Sequence, residues 1–478
     1  MSFSATLGQL VNVLQPGTPD LLNAVLPSTL DSPVTNVVTD TRILQPGNVF
    51  VALRGDRFNG HDFLNMAYQQ GAIAAIVDEQ FVHTLADKSQ VSLPLLPVTD
   101  TLQAYQTIAH WWRNQFTIPV VAITGSVGKT TTKELIAAVL GTAGHVLKSQ
   151  ANFNNEIGVP KTLLELDSFH DVAVVEMGMR AAGEIALLCK IACPDVAVIT
   201  NVGTAHIGRL GSEHAIAQAK CELLQTMPSQ GVAILNHDCS LLTSVAATVW
   251  QGKMFTYGLQ GGDLQGEYYP SDRVDGSGET LVVDGVSFPL PLPGQHNALN
   301  YLAALAVARV LGIDWSPLTQ GITVEMPTGR SRRYLLADDI ILLDETYNAG
   351  LESMIAALHL LAQLPGKRRI AVLGTMKELG QQSTALHYRV GSTAQQLGLD
   401  GILLLVDEPA TTAIADGAHG LPIIEQFYGT SDATCSALVQ RLKDLIQPGD
   451  RLLFKASNSV GMNRIVNALC QEFSSSGF

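Results

Sequence analysis

Short apolar runs rich in β-branched residues recur along this chain, separated by stretches with helical periodicity. In the middle third they are Val120 to Thr124, Val172 to Met177, Val196 to Thr200 and Val232 to Asn236. Uninterrupted apolar strands are buried on both faces, which predicts a largely parallel sheet packed between helices. The last third restarts the alternation with Ile340 to Asp344, Arg369 to Leu373, Ile402 to Val406 and Arg451 to Lys455, predicting a second doubly wound domain. The N-terminal part mixes the strands Asn48 to Leu53 and Ala72 to Val77 with a helix over His61 to Gln70. The Pro-rich Leu93 to Val98 reads as a linker into a helix carrying Tyr105, Ile108, Ala109 and Trp112. Met254 to Pro293 is turn-rich, with an Asp284-Gly285 pair, and predicts a small antiparallel addition before a helix over Asn297 to Leu311.

Length and composition narrow the class. A chain of 478 residues exceeds one ordinary core, so about two to four domains are expected. With 46% apolar and 15% charged residues, the chain is a well-packed globular protein. The net charge of −14 argues against nucleic acid or an anionic membrane as partner, but not against phosphates held by local loops. No basic-then-apolar leader opens the sequence, and no apolar run approaches the roughly 18–20 residues of a membrane span. The six cysteines are scattered without a Cys-x-x-Cys pair, which fits free thiols in a reducing cytoplasm. Cys189, Cys193 and Cys221 read as small core residues.

The chemistry concentrates at strand ends. After Val120 to Thr124 comes Gly125-Ser126-Val127-Gly128-Lys129-Thr130-Thr131 and then a helical pattern from Lys133 to Leu140, the strand–loop–helix of a phosphate-binding loop. Backbone N–H groups of such a loop face phosphates, Lys129 would reach β/γ oxygens and Thr130 would sit on Mg²⁺. Gly125 and Gly128 are separated by two residues where the common motif has four before its Gly-Lys. Glu176, ending a neighbouring strand, is placed either to hold Mg²⁺ or to be a solvated strand-end charge. The amide-rich turn Asn152-Phe153-Asn154-Asn155 is either a binding turn or a helix entry, and His206 is either a site residue or a structural one. Lys220 falls on the apolar stripe Ile216, Leu223, Leu224, Met227 of a helix over Glu213 to Met227. It must reach a phosphate, pair with an acid, snorkel out or be neutralised. Polar turns follow three strands of the last domain: Asp344 to Ala349, Gly374 to Gly380, and Lys455 to Ser459. They suggest a second ligand-binding lip facing the phosphate loop.

These motifs together resemble the Mur ligases of bacterial cell-wall synthesis over nearly the whole chain. The short loop Gly125 to Thr131 is similar to theirs. So are Thr39-Asp40-Thr41-Arg42 with Val49 to Phe63, Asn152 to Pro160, Pro293 to Asn297 with Asn300, and Asp344 to Ala349 with Met376 to Gly380. The Asp-Asn-Pro-Arg signature of the meso-diaminopimelate-adding relative is absent.

The resemblance implies an α/β protein of three domains: a uridine-nucleotide-binding domain over 1–100, a central P-loop ATPase-like parallel-sheet domain over 101–326 and a Rossmann-like domain over 327–478. It implies an ATP-dependent amide ligase of peptidoglycan synthesis and cell wall biogenesis, linked to cell shape, cell cycle and cell division. Its substrates would be UDP-N-acetylmuramoyl-tripeptide and D-alanyl-D-alanine, and it would be a cytoplasmic monomer. By the same resemblance Thr41, Arg42, Gly55, Asp56, Asn59, His61 and Asp62 would hold the uridine diphosphate. Asn152, Asn154, Asn155 and Asn348 would contact substrate. Gly125, Ser126, Gly128, Lys129, Thr130 and Thr131 would bind the ATP phosphates. Asn297 and Asn300 would approach adenine, and Arg330, Asp344 and Tyr347 would complete the nucleotide site. Thr130, Glu176, His206 and Lys220 would hold two Mg²⁺, Lys220 as a carbamate. Lys129, Glu176, His206 and Lys220 would form the catalytic set. A folylpolyglutamate synthase-like ligase shares the loop and the chemistry, but not the resemblance over residues 39–63. A nucleotide-binding regulatory module that lost ligation is the remaining alternative.

Where this sequence departs from the family, Gly350-Leu351 stands in place of Asn-Pro, and Ala456 and Asn458 in place of the Gly and Arg of Lys-Gly-Ser-Arg.

Overall fold

A computed structural model describes residues 3–14, 29–55, 58–84, 92–271, 273 and 278–475. Asp56 lies outside the described residues. Three parallel-rich sheets follow one another along the chain. The first pairs Asn36–Val38, Asn48–Val51, Ala74–Asp78 and Leu95–Val98 in that order, all parallel. The second has nine strands and the third six. Helices cover the sheets, as parallel strands buried on both faces require.

In the nine-stranded sheet Val120–Thr124 is flanked by Val172–Glu176 and Val196–Ile199 in parallel register, Ile123 opposite Glu176 and Thr124 opposite Ile199. All five residues of Val120–Thr124 are buried, as the apolar run predicts. The register brings the ends of three strands to one edge, which places the phosphate loop, Glu176 and the Asn201–His206 turn together.

The six-stranded sheet runs Arg332–Leu336, Ile340–Asp344, Asp450–Lys455, Arg368–Gly374, Gly401–Val406, Ile423–Tyr428, with only the first strand antiparallel. Ile340–Asp344, Arg368–Gly374 and Asp450–Lys455 are neighbours, so their three polar turns share one edge.

Two segments differ from the sequence reading. Leu95–Val98 is not a linker but the edge strand of the first sheet, with Leu96 buried and Pro97 opposite Val77. An edge strand needs partners on one side only, so the N–H that Pro97 lacks is not missed. In Met254 to Pro293 the antiparallel addition is the three-stranded run Leu264–Tyr269, Thr280–Val283, Val286–Pro289, whose hairpin turns at Asp284 (φ 51°) and Gly285 (φ 76°). Lys253–Gly258 instead extends the central sheet in parallel, and Leu264–Tyr269, parallel to it on one side and antiparallel to Thr280–Val283 on the other, joins the two parts. Leu264–Tyr269 alternates buried and exposed positions, the pattern of a strand with one face on the core.

Candidate active site

The phosphate loop is built by close approach to its neighbour strand. Gly125 has φ 155°, and a Cβ there would lie 1.9 Å from Thr200 Oγ1, so glycine alone fits. Thr200 Oγ1 and Asn201 Nδ2 both donate to Val127 O, at 2.7 and 3.0 Å. Asn201 also accepts from the loop itself: Ser126 N donates to its carbonyl and Val127 N to its side chain. Two loop N–H groups are therefore used to shape the loop. The first bond of helix Lys129–Leu140 is Thr132 N to Gly128 O, so the amides of Lys129, Thr130 and Thr131 precede the helical ladder. Anion binding falls to these and to the positive end of the helix dipole.

Lys129 Nζ donates to Gly125 O at 2.8 Å and Ser126 O at 3.3 Å, a cation held at the loop by neutral carbonyls. Burial draws its pKa below the lysine range, while Glu176 acts in the opposite direction. Glu176 is 2% exposed. Its Oε1 accepts from Asn154 Nδ2 at 2.8 Å, and its Oε2 has no hydrogen-bond partner among the described residues. A buried carboxylate oxygen without a donor is suited to a cation. Behind it, buried Lys133 bonds Ser149 O at 2.7 Å, pairs with Glu134 at 3.0 Å and lies 3.9 Å from Glu176 Oε2. This network fixes the strand end that Glu176 occupies.

His206 adopts φ 66°, and its Nδ1 meets Glu378 Oε2 at 2.5 Å across the boundary to the six-stranded sheet. That pairing leaves Nε2 as the ring atom a metal would take. Lys220 lies in helix Glu213–Thr226 and is 1% exposed, beside buried Ile216, Leu223 and Leu224. It makes no hydrogen bond or ion pair with any described residue, and burial holds its pKa well below the lysine range. Snorkelling is thereby excluded: the amine stays in the core.

A cavity of about 700 Å³ opens between the two large sheets. Lys129, Thr130 and His206 line it from one side, and Arg330, Tyr347 and Asn348 from the other. Arg330 stacks on Tyr347 at 4.0 Å. Asn300, also on the cavity, accepts from Thr132 Oγ1 at 3.2 Å and donates to Asn297 at 3.3 Å, which ties helix Gln295–Leu311 to the loop. Gly125, Glu176, Lys220, Asn152, Asn154 and Asn155 do not face the cavity, while Ser126, Gly128, Thr131 and Asn297 do. Asp344 is also off the cavity. Its carboxylate accepts from Thr346 N and Oγ1, at 3.1 and 2.6 Å, and shapes the turn. The adjacent Glu345 faces the cavity instead, with its pKa raised by burial. Sequence reasoning did not single out Glu345, Lys133 or Glu352; for Glu345 the signal was only its place one residue further along the same turn.

The residues assigned to uridine diphosphate lie in the four-stranded domain. Thr41 is buried, and Arg42 is exposed and paired to Asp40 at 2.6 Å. Gly55 and Asn59 belong to a loop closed by the Arg54–Asn59 bridge, and Asp62 is exposed. His61 is 4% exposed and uses both ring nitrogens internally: Nδ1 with Asn59 at 2.7 Å, and Nε2 accepting from Asp78 N at 3.0 Å. Asn59 and His61 thus hold the loop, while Arg42 is an exposed cation paired with Asp40.

Three family models match: the Mur ligase family catalytic domain over residues 33–113, the Mur ligase middle domain over 123–308, and the Mur ligase glutamate ligase domain over 329–458. The UDP-N-acetylmuramoyl-tripeptide–D-alanyl-D-alanine ligase of Synechocystis sp. is 57% identical over 92% of this chain and 93% of its own. The enzyme of that description from Escherichia coli is 36% identical over 98% of both. Among solved structures, MurF from Acinetobacter baumannii superposes with a TM-score of 0.85 at 29% identity, covering 98% of this chain and 99% of its own. MurF ligase from Thermotoga maritima, solved with ADP, gives 0.80 at 29% identity over 92% of this chain and 98% of its own.

Proposed function

The chain belongs to the Mur ligase family, and from this we infer a reaction: ATP-dependent addition of D-alanyl-D-alanine to UDP-N-acetylmuramoyl-tripeptide, forming ADP and phosphate, in peptidoglycan precursor synthesis. Similarity to relatives of that single description over nine-tenths of the chain carries the reading. The family's division into uridine, ATP and Rossmann-like domains over 1–100, 101–326 and 327–478 is the domain assignment we adopt.

A carboxylate is a poor electrophile because it would expel oxide. Phosphorylation by ATP makes an acyl phosphate, the dipeptide amine attacks, and the tetrahedral intermediate collapses to amide and phosphate. Both steps build negative charge, and a preorganised cation and helix N-terminus stabilise it. Lys129 and the amides of Lys129 to Thr131 are such donors. In this reading Arg330 and Tyr347 hold the nucleotide from the opposite wall, and Asn348 faces the incoming dipeptide.

The residues fit Mg²⁺. Thr130 and the unpartnered oxygen of Glu176 would hold one ion, and His206 Nε2 with Lys220 a second. Bound there, Mg²⁺ would neutralise phosphate charge. Lys220 has the chemistry for a carbamate: a neutral buried amine adds CO₂ through its lone pair and releases one proton, leaving a carboxylate-like anion. Among the described residues no helix is long and apolar enough to cross a membrane. A monomer working in the cytoplasm, where its ATP is made, completes the proposal.

Phosphate release by the purified protein with Mg²⁺ and bicarbonate tests the reading. Release is expected only with ATP, the tripeptide nucleotide and the dipeptide together. ATP binding without turnover would favour the regulatory-module alternative.

A further inference from the structure

One carboxylate of the six-stranded domain lines the cavity and reaches into the central domain, near enough to Lys220 to favour its charged form. Glu352 is the second residue of helix Leu351–Gln363. Its Oε1 accepts from Thr204 N at 2.7 Å. The adjacent Gly203 N donates to Ser126 Oγ at 2.9 Å, so a short chain of bonds runs from the helix through the turn to the phosphate loop. Gly203 permits this. A Cβ there would lie 2.5 Å from Glu352 Cδ and Oε1 and 2.9 Å from Oε2, and Glu352 supplies all three nearest atoms. Glu352 Oε2 and Thr204 Oγ1 are buried without hydrogen-bond partners among the described residues. The short helix Ile207–Leu210 that follows the turn is held to the same domain: Gly208 N donates to Glu378 O at 3.1 Å and Arg209 pairs with Glu378 at 3.1 Å.

We propose that Glu352 is a positioning residue for the ligation. It latches the six-stranded domain onto the Gly203–Thr204 turn and so couples closure of the cavity to the placement of the phosphate loop through Ser126. The near wall carries Lys129 and the far wall Arg330 and Tyr347, so their alignment depends on the contact between the domains. An alignment error of about 1 Å at a reacting centre costs on the order of a hundredfold in rate. Glu352 sits in the first turn of a helix, where an acid is also favoured by the helix dipole. That local role does not call for the bond to Thr204.

The test is a double-mutant cycle with Glu352→Ala and Gly203→Ala. Gly203 has no positive φ, and the atoms a new methyl would strike are the far end of a side chain. The substitution therefore displaces Glu352 without disturbing the backbone. Each single variant is expected to lower kcat by about thirtyfold with KM for ATP changed less than about threefold, and the double variant to be no worse than either. Glu352→Gln keeps an acceptor for Thr204 N and is expected to recover most of the loss. A kcat for Glu352→Ala within threefold of the parent, or losses that multiply in the double variant, would overturn the latch.

The kinetic arm rests on the ligase reading; a second arm does not. With Mg²⁺ and a non-hydrolysable ATP analogue, small-angle scattering of the full chain is expected to give a larger radius of gyration for both single variants than for the parent. Equal radii would overturn the proposal even if the parent proves to have no ligase activity. A melting temperature for each variant shows that it is folded.

Discussion

Lys129→Ala is expected to lower kcat by about a thousandfold, near 4 kcal/mol of lost transition-state stabilisation, with a smaller change in KM for ATP. The side chain begins at the first residue of helix Lys129–Leu140, and its ammonium is held against the carbonyls of Gly125 and Ser126. Those neutral carbonyls are weak partners for a buried cation, as the downward direction of its pKa records. A phosphate replaces them with charged oxygens, and the gain grows as charge accumulates on the transferring group. Amides of the helix N-terminus remain in the variant and preserve part of the ground-state affinity, so the loss falls mainly on kcat. Lys129→Arg is expected to recover little, because a planar fork does not fit where a compact ammonium lies within 2.8 Å of a loop carbonyl. Steady-state phosphate release by folded variants checks both statements.

Lys220→Ala is expected to lose activity to a similar degree, about a thousandfold, and to regain about tenfold or more when a short carboxylic acid is added to the buffer. The lysine is 1% exposed and forms no ion pair with any described residue, so an ordinary salt-bridge role is not what it serves there. Burial favours the neutral amine, and only the neutral amine has the lone pair that adds CO₂. The direction with pH follows. Below the lowered pKa the amine is protonated and the carbamate is lost; above it the carbamate accumulates. With ¹³C-bicarbonate, a carbamate carbon resonance should therefore grow as pH rises and be absent from Lys220→Ala. A resonance that persists in the variant would place the carbamate elsewhere, and failure of carboxylic acids to rescue would weaken a carboxylate role for Lys220.

The parallel sheets were legible because burial on both faces leaves no polar positions in a strand, so Val120–Thr124, Val232–Asn236 and Ile340–Asp344 stand out by composition alone. Strands at sheet edges lack that constraint. Arg332–Leu336 and Ile423–Tyr428 are half exposed and went unread, and Leu95–Val98 was read as a linker because of prolines that only an edge tolerates. The same logic divides the site. Lys220 was conspicuous because charge on an apolar stripe violates the helical pattern. Lys133 and Glu134, equally buried, break no pattern, because helix Lys129–Leu140 is enclosed nearly all round and its polar residues pair with one another. Glu352 resembles any acid in a first helical turn until Thr204 is seen beside it. The motif Asp344-Glu345 does not say which acid faces the cavity. The turn decides that, by drawing Asp344 onto Thr346 and turning Glu345 outward to the site.

The central claim is that ATP activates the tripeptide's carboxylate. It is tested most directly by labelling that carboxylate with ¹⁸O and weighing the products. Acyl-phosphate chemistry predicts one ¹⁸O in each phosphate released, matched one for one by a UDP-muramoyl product enlarged by the dipeptide less the carboxylate oxygen. Phosphate that leaves without the label would contradict the account, because the oxygen would then have come from water and the carboxylate would never have been phosphorylated.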